Sequence, residues 1–123
     1  MTFAKRVFTG AGIWGLLVLA PIYFLFDRIG ADYPPAITHP EFFYGFLAIT
    51  VPWQLAFLVI GSNPSRFRSL MPVAMVEKFF YVASLLVLYA QQRMTAGQLV
   101  VIVPDFILGV LFVASYLKTP RAL

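Results

Sequence analysis

Two stretches of the chain, residues 7–26 and 42–61, each run for 20 residues without a charged side chain. At 1.5 Å of rise per residue, about 20 helical residues cover the roughly 30 Å hydrocarbon core of a bilayer. Each run therefore matches one crossing. The chain has 123 residues, 61% hydrophobic and 11% charged, whereas a soluble domain carries about 25% charged residues. A water-soluble fold of this size has too little interior to hide so much apolar surface. The sequence predicts an all-α integral membrane protein.

Two further segments, residues 73–90 and 99–117, are apolar but carry acids. In the second, 13 residues are Leu, Ile, Val or Phe. They contribute roughly −4 to −8 kcal/mol to insertion, against about +3 for a central Asp105, so the segment is predicted to cross. In the first, Lys78 is expected to snorkel to the interface and Glu77 to lie about one turn inside it. The expected architecture is a single transmembrane domain over residues 1–123, a four-helix bundle with spans at about 7–26, 42–61, 73–90 and 99–117. Lys5, Arg6, Arg66, Arg68, Lys118 and Arg121 fall at one end, and Arg28 and Arg93 at the other. Lys and Arg are retained on the cytoplasmic face, which predicts both termini inside. The first run is too long for a signal-peptide core and is expected to stay as an anchor. Pro21, Pro52 and Pro104 are expected to kink three spans and free the carbonyls of Leu17, Ala48 and Val100. Ala11 with Gly15, and Ala48 with Ala56, are expected to let helices approach closely.

The absence of cysteine removes disulfides and thiolate chemistry, and a single histidine cannot make a His-based metal site alone. No cofactor or metal is expected. Ionisable residues inside a membrane are costly and mark sites. Asp105 lies about 9 Å from one edge of the hydrocarbon by residue count, in a layer with Ser84 and the carbonyl freed at Ala48. It is read either as a polar pocket or proton site, or as a structural hydrogen bond between helices. Glu77, Tyr81 and Ser84 share one helical face, and Thr50 and Gln54 form a polar pair on the second span. Glu77 counts as about 6 Å from the opposite edge. The two acids are then about 15 Å apart in a 30 Å core, too far for a shared site. The alternative role for Glu77 is an ion pair with Lys78, Arg66 or Arg68. His39 and Glu41, on a proline-stiffened loop, are candidate titrating groups, although a solvated surface loop explains them as well. Arg66 and Arg68, flanking Phe67, suggest lipid headgroup contact and not nucleic acid.

The stretch PPAITHPEFFYGF at residues 34–46, together with RFRSLMPVAMVEKF at residues 66–79, resembles small four-span bacterial membrane proteins usually left as hypothetical. The resemblance implies the fold over nearly the whole chain, a place in a bacterial cytoplasmic (inner) membrane, and no activity. Small multidrug exporters also have four spans but place their glutamate in the first, where this chain has no acid. Membrane sterol-isomerase-like proteins share only the presence of Asp and Glu. The leading expectation is a non-enzymatic membrane protein that binds a lipid-like or apolar small molecule, or a partner protein, around the Asp105 layer. An oligomeric proton-coupled transporter and an accessory subunit of a larger membrane complex are the alternatives, and an intramembrane isomerase or hydrolase ranks last. Expected partners are membrane lipids, with a homo-oligomer or a larger membrane complex beside them.

Overall fold

A computed structural model of the protein describes residues 2–121. Four helical stretches, Thr2–Phe24, Pro40–Ser62, Arg68–Ala90 and Ala96–Lys118, are long and apolar enough to cross a membrane, each with 23 residues. They form an all-α bundle. The first comprises α1 (Thr2–Leu19) and a 3-10 extension, Ala20–Phe24. A short helix, α2 (Phe26–Asp32), follows on the loop, and α3 (Pro40–Ser62) is the second span. The third is α4 (Met71–Ala90), entered through a 3-10 turn at Arg68–Leu70. The fourth divides into α5 (Ala96–Leu99) and α6 (Ile102–Lys118).

The three prolines act differently, for reasons of position. Pro52 is carried inside a continuous α3. Pro21 coincides with the change from α-helix to 3-10 geometry after Leu19. Pro104 lies in the first turn of α6, where a missing N–H removes no intrahelical bond. The fourth span is thus interrupted at Val100–Val101 and not simply kinked. Its first turn is held by a capping box, in which Gln98 N–H donates to Thr95 Oγ1 (3.1 Å) and Thr95 N–H to Gln98 Oε1 (2.9 Å).

Backbone packing joins α1 to α3, α1 to α6 and α4 to α6, while α3 and α4 meet mainly through side chains. The tight seam is α1 on α3. A Cβ at Gly12 would lie 2.7 Å from the backbone oxygen of Gln54, so only glycine permits that approach. Ala11 is buried near this seam, but Ala48 is exposed. Ala48 and Ala56 line a shallow outward groove with Pro52 and Trp53. The expected small-residue contact on the second span is therefore made by Gly61, packed on Thr9, and not by that alanine pair.

Toward the termini the core is aromatic. Phe8 stacks on Phe112 (centroids 4.2 Å, planes 10° apart), and Phe57 meets Phe112 edge-on at 5.0 Å. All three rings are fully buried. At the same end Arg68 donates from Nε to the Thr119 carbonyl (2.7 Å) and from Nη2 to that of Tyr116 (3.3 Å), with its guanidinium 3.9 Å from the Tyr116 ring centroid. Arg68 thus caps the end of α6 instead of reaching outward to headgroups; Arg66 remains exposed beside Phe67. The exterior carries Leu17, Phe24 and Phe80, each at least 70% exposed. Such a surface suits lipid.

Candidate functional site

Beyond the aromatic plug the four spans diverge around a cavity of about 250 Å³. Its chemistry is set by the register of α4. The buried residues of that helix are Met71, Ala74, Lys78 and Val82, a repeat of three and four residues that defines an inward stripe. Lys78 occupies a core position on it and is 4% exposed. It does not snorkel. Its Nζ lies 3.1 Å from Asp105 Oδ1 and 3.7 Å from Glu77 Oε2, and 5.1 Å from the Phe57 ring centroid. One ammonium is held between two carboxylates, with an aromatic face beneath it.

Asp105 and Glu77 therefore share one site, contrary to the 15 Å separation read from apolar run lengths. The helices extend past those runs. Glu77 is nine residues from Arg68 and Asp105 nine from Ala96. Each then lies about 13 Å into a span about 34 Å long, leaving only about 6–8 Å along the axis, which the lysine side chain bridges. Local structure also favours the acid at this depth. The interruption at Val100–Val101 makes α6 start inside the span, with Asp105 in its first turn, where unpaired N–H groups and the helix dipole favour negative charge.

From α3, Gln54 and Thr50 face the cavity. Gln54 is 1% exposed and donates from Nε2 to the Thr50 carbonyl (2.9 Å), and Thr50 Oγ1 donates to the Phe46 carbonyl (2.6 Å). The Gln54 carboxamide fills the space over Gly15, where any Cβ would overlap it. Tyr81, one turn beyond Glu77, closes toward Phe46 with ring centroids 6.4 Å apart. Trp14, Val18 and Ile22 from the first span, and Val101 and Pro104 from the fourth, supply apolar walls. Trp14, Val18, Phe46 and Val101 are each more than 40% exposed, so the cavity communicates with the lipid-facing surface. Among the described residues, no hydrogen-bond donor reaches the buried Glu77 Oε2.

The expected polar layer is thus displaced. Asp105, Glu77, Tyr81, Gln54 and Thr50 come together, whereas Ser84 is exposed and outside the cavity. The inward stripe of α4 runs through Lys78, about 100° around the helix from Glu77, and the face carrying Ser84 turns outward beyond Tyr81. The Ala48 carbonyl is likewise not at the site. His39 and Glu41 pair with each other on the loop, Nδ1 to Oε1 at 3.1 Å, both well exposed and away from the cavity. Sequence reasoning missed Trp14; it offered Lys78 as an ion-pair partner of Glu77, which the 3.7 Å contact bears out, but not as the partner of Asp105, and Gly15 as a close-packing position but not as the seat of Gln54. The Met71, Ala74, Lys78, Val82 spacing was the signal that pointed to Lys78.

The site can hold charge and accept hydrogen bonds in an apolar enclosure open on one side. Among the described residues no group of three or more His, Cys, Asp or Glu is placed to hold a metal ion. Comparisons with protein-family profiles, with curated proteins and with solved structures find no match.

Proposed function

We propose that this four-span protein binds an amphipathic small molecule drawn from the surrounding lipid. The polar end of that molecule rests against Glu77, Tyr81, Gln54 and the Lys78–Asp105 pair. Its apolar body lies along Trp14, Val18 and Ile22. The observation that carries this reading is a cavity of about 250 Å³ with charged groups at its closed end and apolar, surface-connected walls at the other. Sites for small ligands have this composition, a mostly apolar lining with a few convergent polar groups. The volume admits about eight groups of a water's share, ~30 Å³ each, which suits a head group with part of a chain. We read it as a binding site and not a reaction centre, because its Lys78 amine and Asp105 carboxylate are engaged with each other and its Thr50 hydroxyl donates to the Phe46 carbonyl, so no nucleophile is paired with a general base. Placement in a bacterial cytoplasmic membrane with both termini inside is part of the same proposal. It is supported by the basic residues gathered at the termini end.

The test uses fluorescence. Of the two tryptophans, Trp14 lines the cavity and Trp53 does not, so Trp53→Phe leaves a single reporter at the site. In lipid nanodiscs, an eight-carbon alcohol brominated near its head group should quench Trp14 saturably. Asp105→Asn should weaken that quenching while helicity is retained. Quenching that rises linearly with probe, as from bulk lipid, would refute the reading.

A further inference from the structure

Two carboxylates and one ammonium do not balance. From α4 the groups facing the cavity are Glu77, Lys78 and the Tyr81 phenol, and from α6 Asp105. From α1 and α3 the facing polar groups are the Trp14 indole, Gln54 and Thr50, none of which carries charge. With both acids ionised the site bears one uncompensated negative charge near the middle of the bilayer, and such a charge is strongly disfavoured there. The two acids are also unequal. Asp105 Oδ1 takes the short contact with Lys78 Nζ, at 3.1 Å, and benefits from the first turn of α6. Glu77 Oε2 is buried, 3.7 Å from the same ammonium, and accepts no hydrogen bond among the described residues.

From this we infer that the cavity's ligand is an alkyl cation, a protonated or quaternary amine, and that it enters in exchange for one proton held at Glu77. The inference rests on the binding reading above and names its ligand class. In the empty site Lys78 is balanced by the Asp105 carboxylate, and the Glu77 carboxyl carries the proton. When the cation arrives, the Glu77 O–H bond breaks, the proton leaves to water and the carboxylate pairs with the incoming ammonium. The site is neutral before and after. The aromatic faces of Trp14 and Tyr81, which border the cavity, suit an ammonium head.

The experiment uses the Trp53→Phe protein in nanodiscs with four probes sharing one brominated eight-carbon chain: a primary amine, a trimethylammonium, an alcohol and a carboxylate. Trp14 quenching reports binding, and a pH dye in weakly buffered solution reports proton release. Both cations should bind and release about one proton each. Their affinity should rise about tenfold per pH unit over the range where the site holds that proton. The trimethylammonium probe has no proton of its own to lose, so its release identifies the protein as the source. Glu77→Gln should abolish release and weaken both cations at least about tenfold, while far-ultraviolet circular dichroism matching the parent shows that the variant is folded. Alcohol and cations binding equally, with no proton released, would overturn cation exchange and leave the binding reading standing. Saturable quenching by none of the four would overturn both. Release that survives in Glu77→Gln would overturn the assignment to Glu77.

Discussion

Replacing Lys78 with methionine removes the ammonium and keeps most of the side-chain volume. Its 3.1 Å contact with the Asp105 carboxylate corresponds to about 5 kcal/mol of gross attraction at an effective dielectric of 20. Much of this is spent on desolvation, so the useful comparison is with buried pairs broken from one side, which lose about 3–5 kcal/mol. Lys78→Met should therefore lower the folded-to-unfolded ratio roughly 150- to 4,500-fold. The assay is titration of the nanodisc-derived protein with sodium dodecyl sulfate in mixed micelles, followed by far-ultraviolet circular dichroism. Because the loss comes from the stranded Asp105 carboxylate, the triple variant Lys78→Met, Glu77→Gln, Asp105→Asn, which leaves no ionisable acid at the site, should recover to within about 1–2 kcal/mol of the parent. A Lys78→Met loss under about 1 kcal/mol, or a triple variant as unstable as the single one, would show that the charges are not interdependent.

The α1–α3 seam gives a second expectation: Gly15→Ala should cost about 1–3 kcal/mol by displacing the buried Gln54, whereas Gly10→Ala, with nothing within 4 Å, should be neutral or slightly stabilising in the same titration. Arg68→Lys keeps the charge but loses the two-carbonyl fork and the stack on Tyr116. It should cost about 1–3 kcal/mol, and hydrogen exchange should quicken at Thr119 and not in the cavity helices. Sidedness is checked with single cysteines in this cysteine-free chain: Thr38→Cys should react with an impermeant maleimide added outside intact cells, and Asn63→Cys only after lysis.

Two helical stretches were legible because 20 uncharged residues have few alternatives to a membrane helix, the other two because their apolar residues outweigh the few charges they carry, and the polar pair Thr50 and Gln54 was legible from its four-residue spacing. Depth was not. A run without charges marks where charged residues stop, whereas a helix continues until its backbone is capped or broken. The third helical stretch begins at Arg68, well before the uncharged run, because that arginine bends onto the carbonyls of α6. The same error in opposite directions placed Glu77 and Asp105 too near opposite faces. Lys78 was misjudged on different grounds. Snorkelling is the lower-cost state for a lone lysine, but acids on its own and a neighbouring helix reverse that preference, and the partner on α6 is 27 residues away in sequence. The break at Val100–Val101 was hidden because Pro104 pointed to a kink at itself, whereas the chain uses it to start a helix.

The stack of Phe8, Phe57 and Phe112 makes the cavity a cul-de-sac. A molecule that enters through the lipid-facing opening meets fully buried rings before it reaches the termini side. Under the binding reading proposed above, whatever enters a single copy in this conformation leaves by the same opening. Passage across the bilayer would need the Phe8 and Phe112 planes to part, and the Phe57 ring beneath Lys78 moves with them. Any vectorial flux measured for this protein is therefore also a measurement of how often that stack opens.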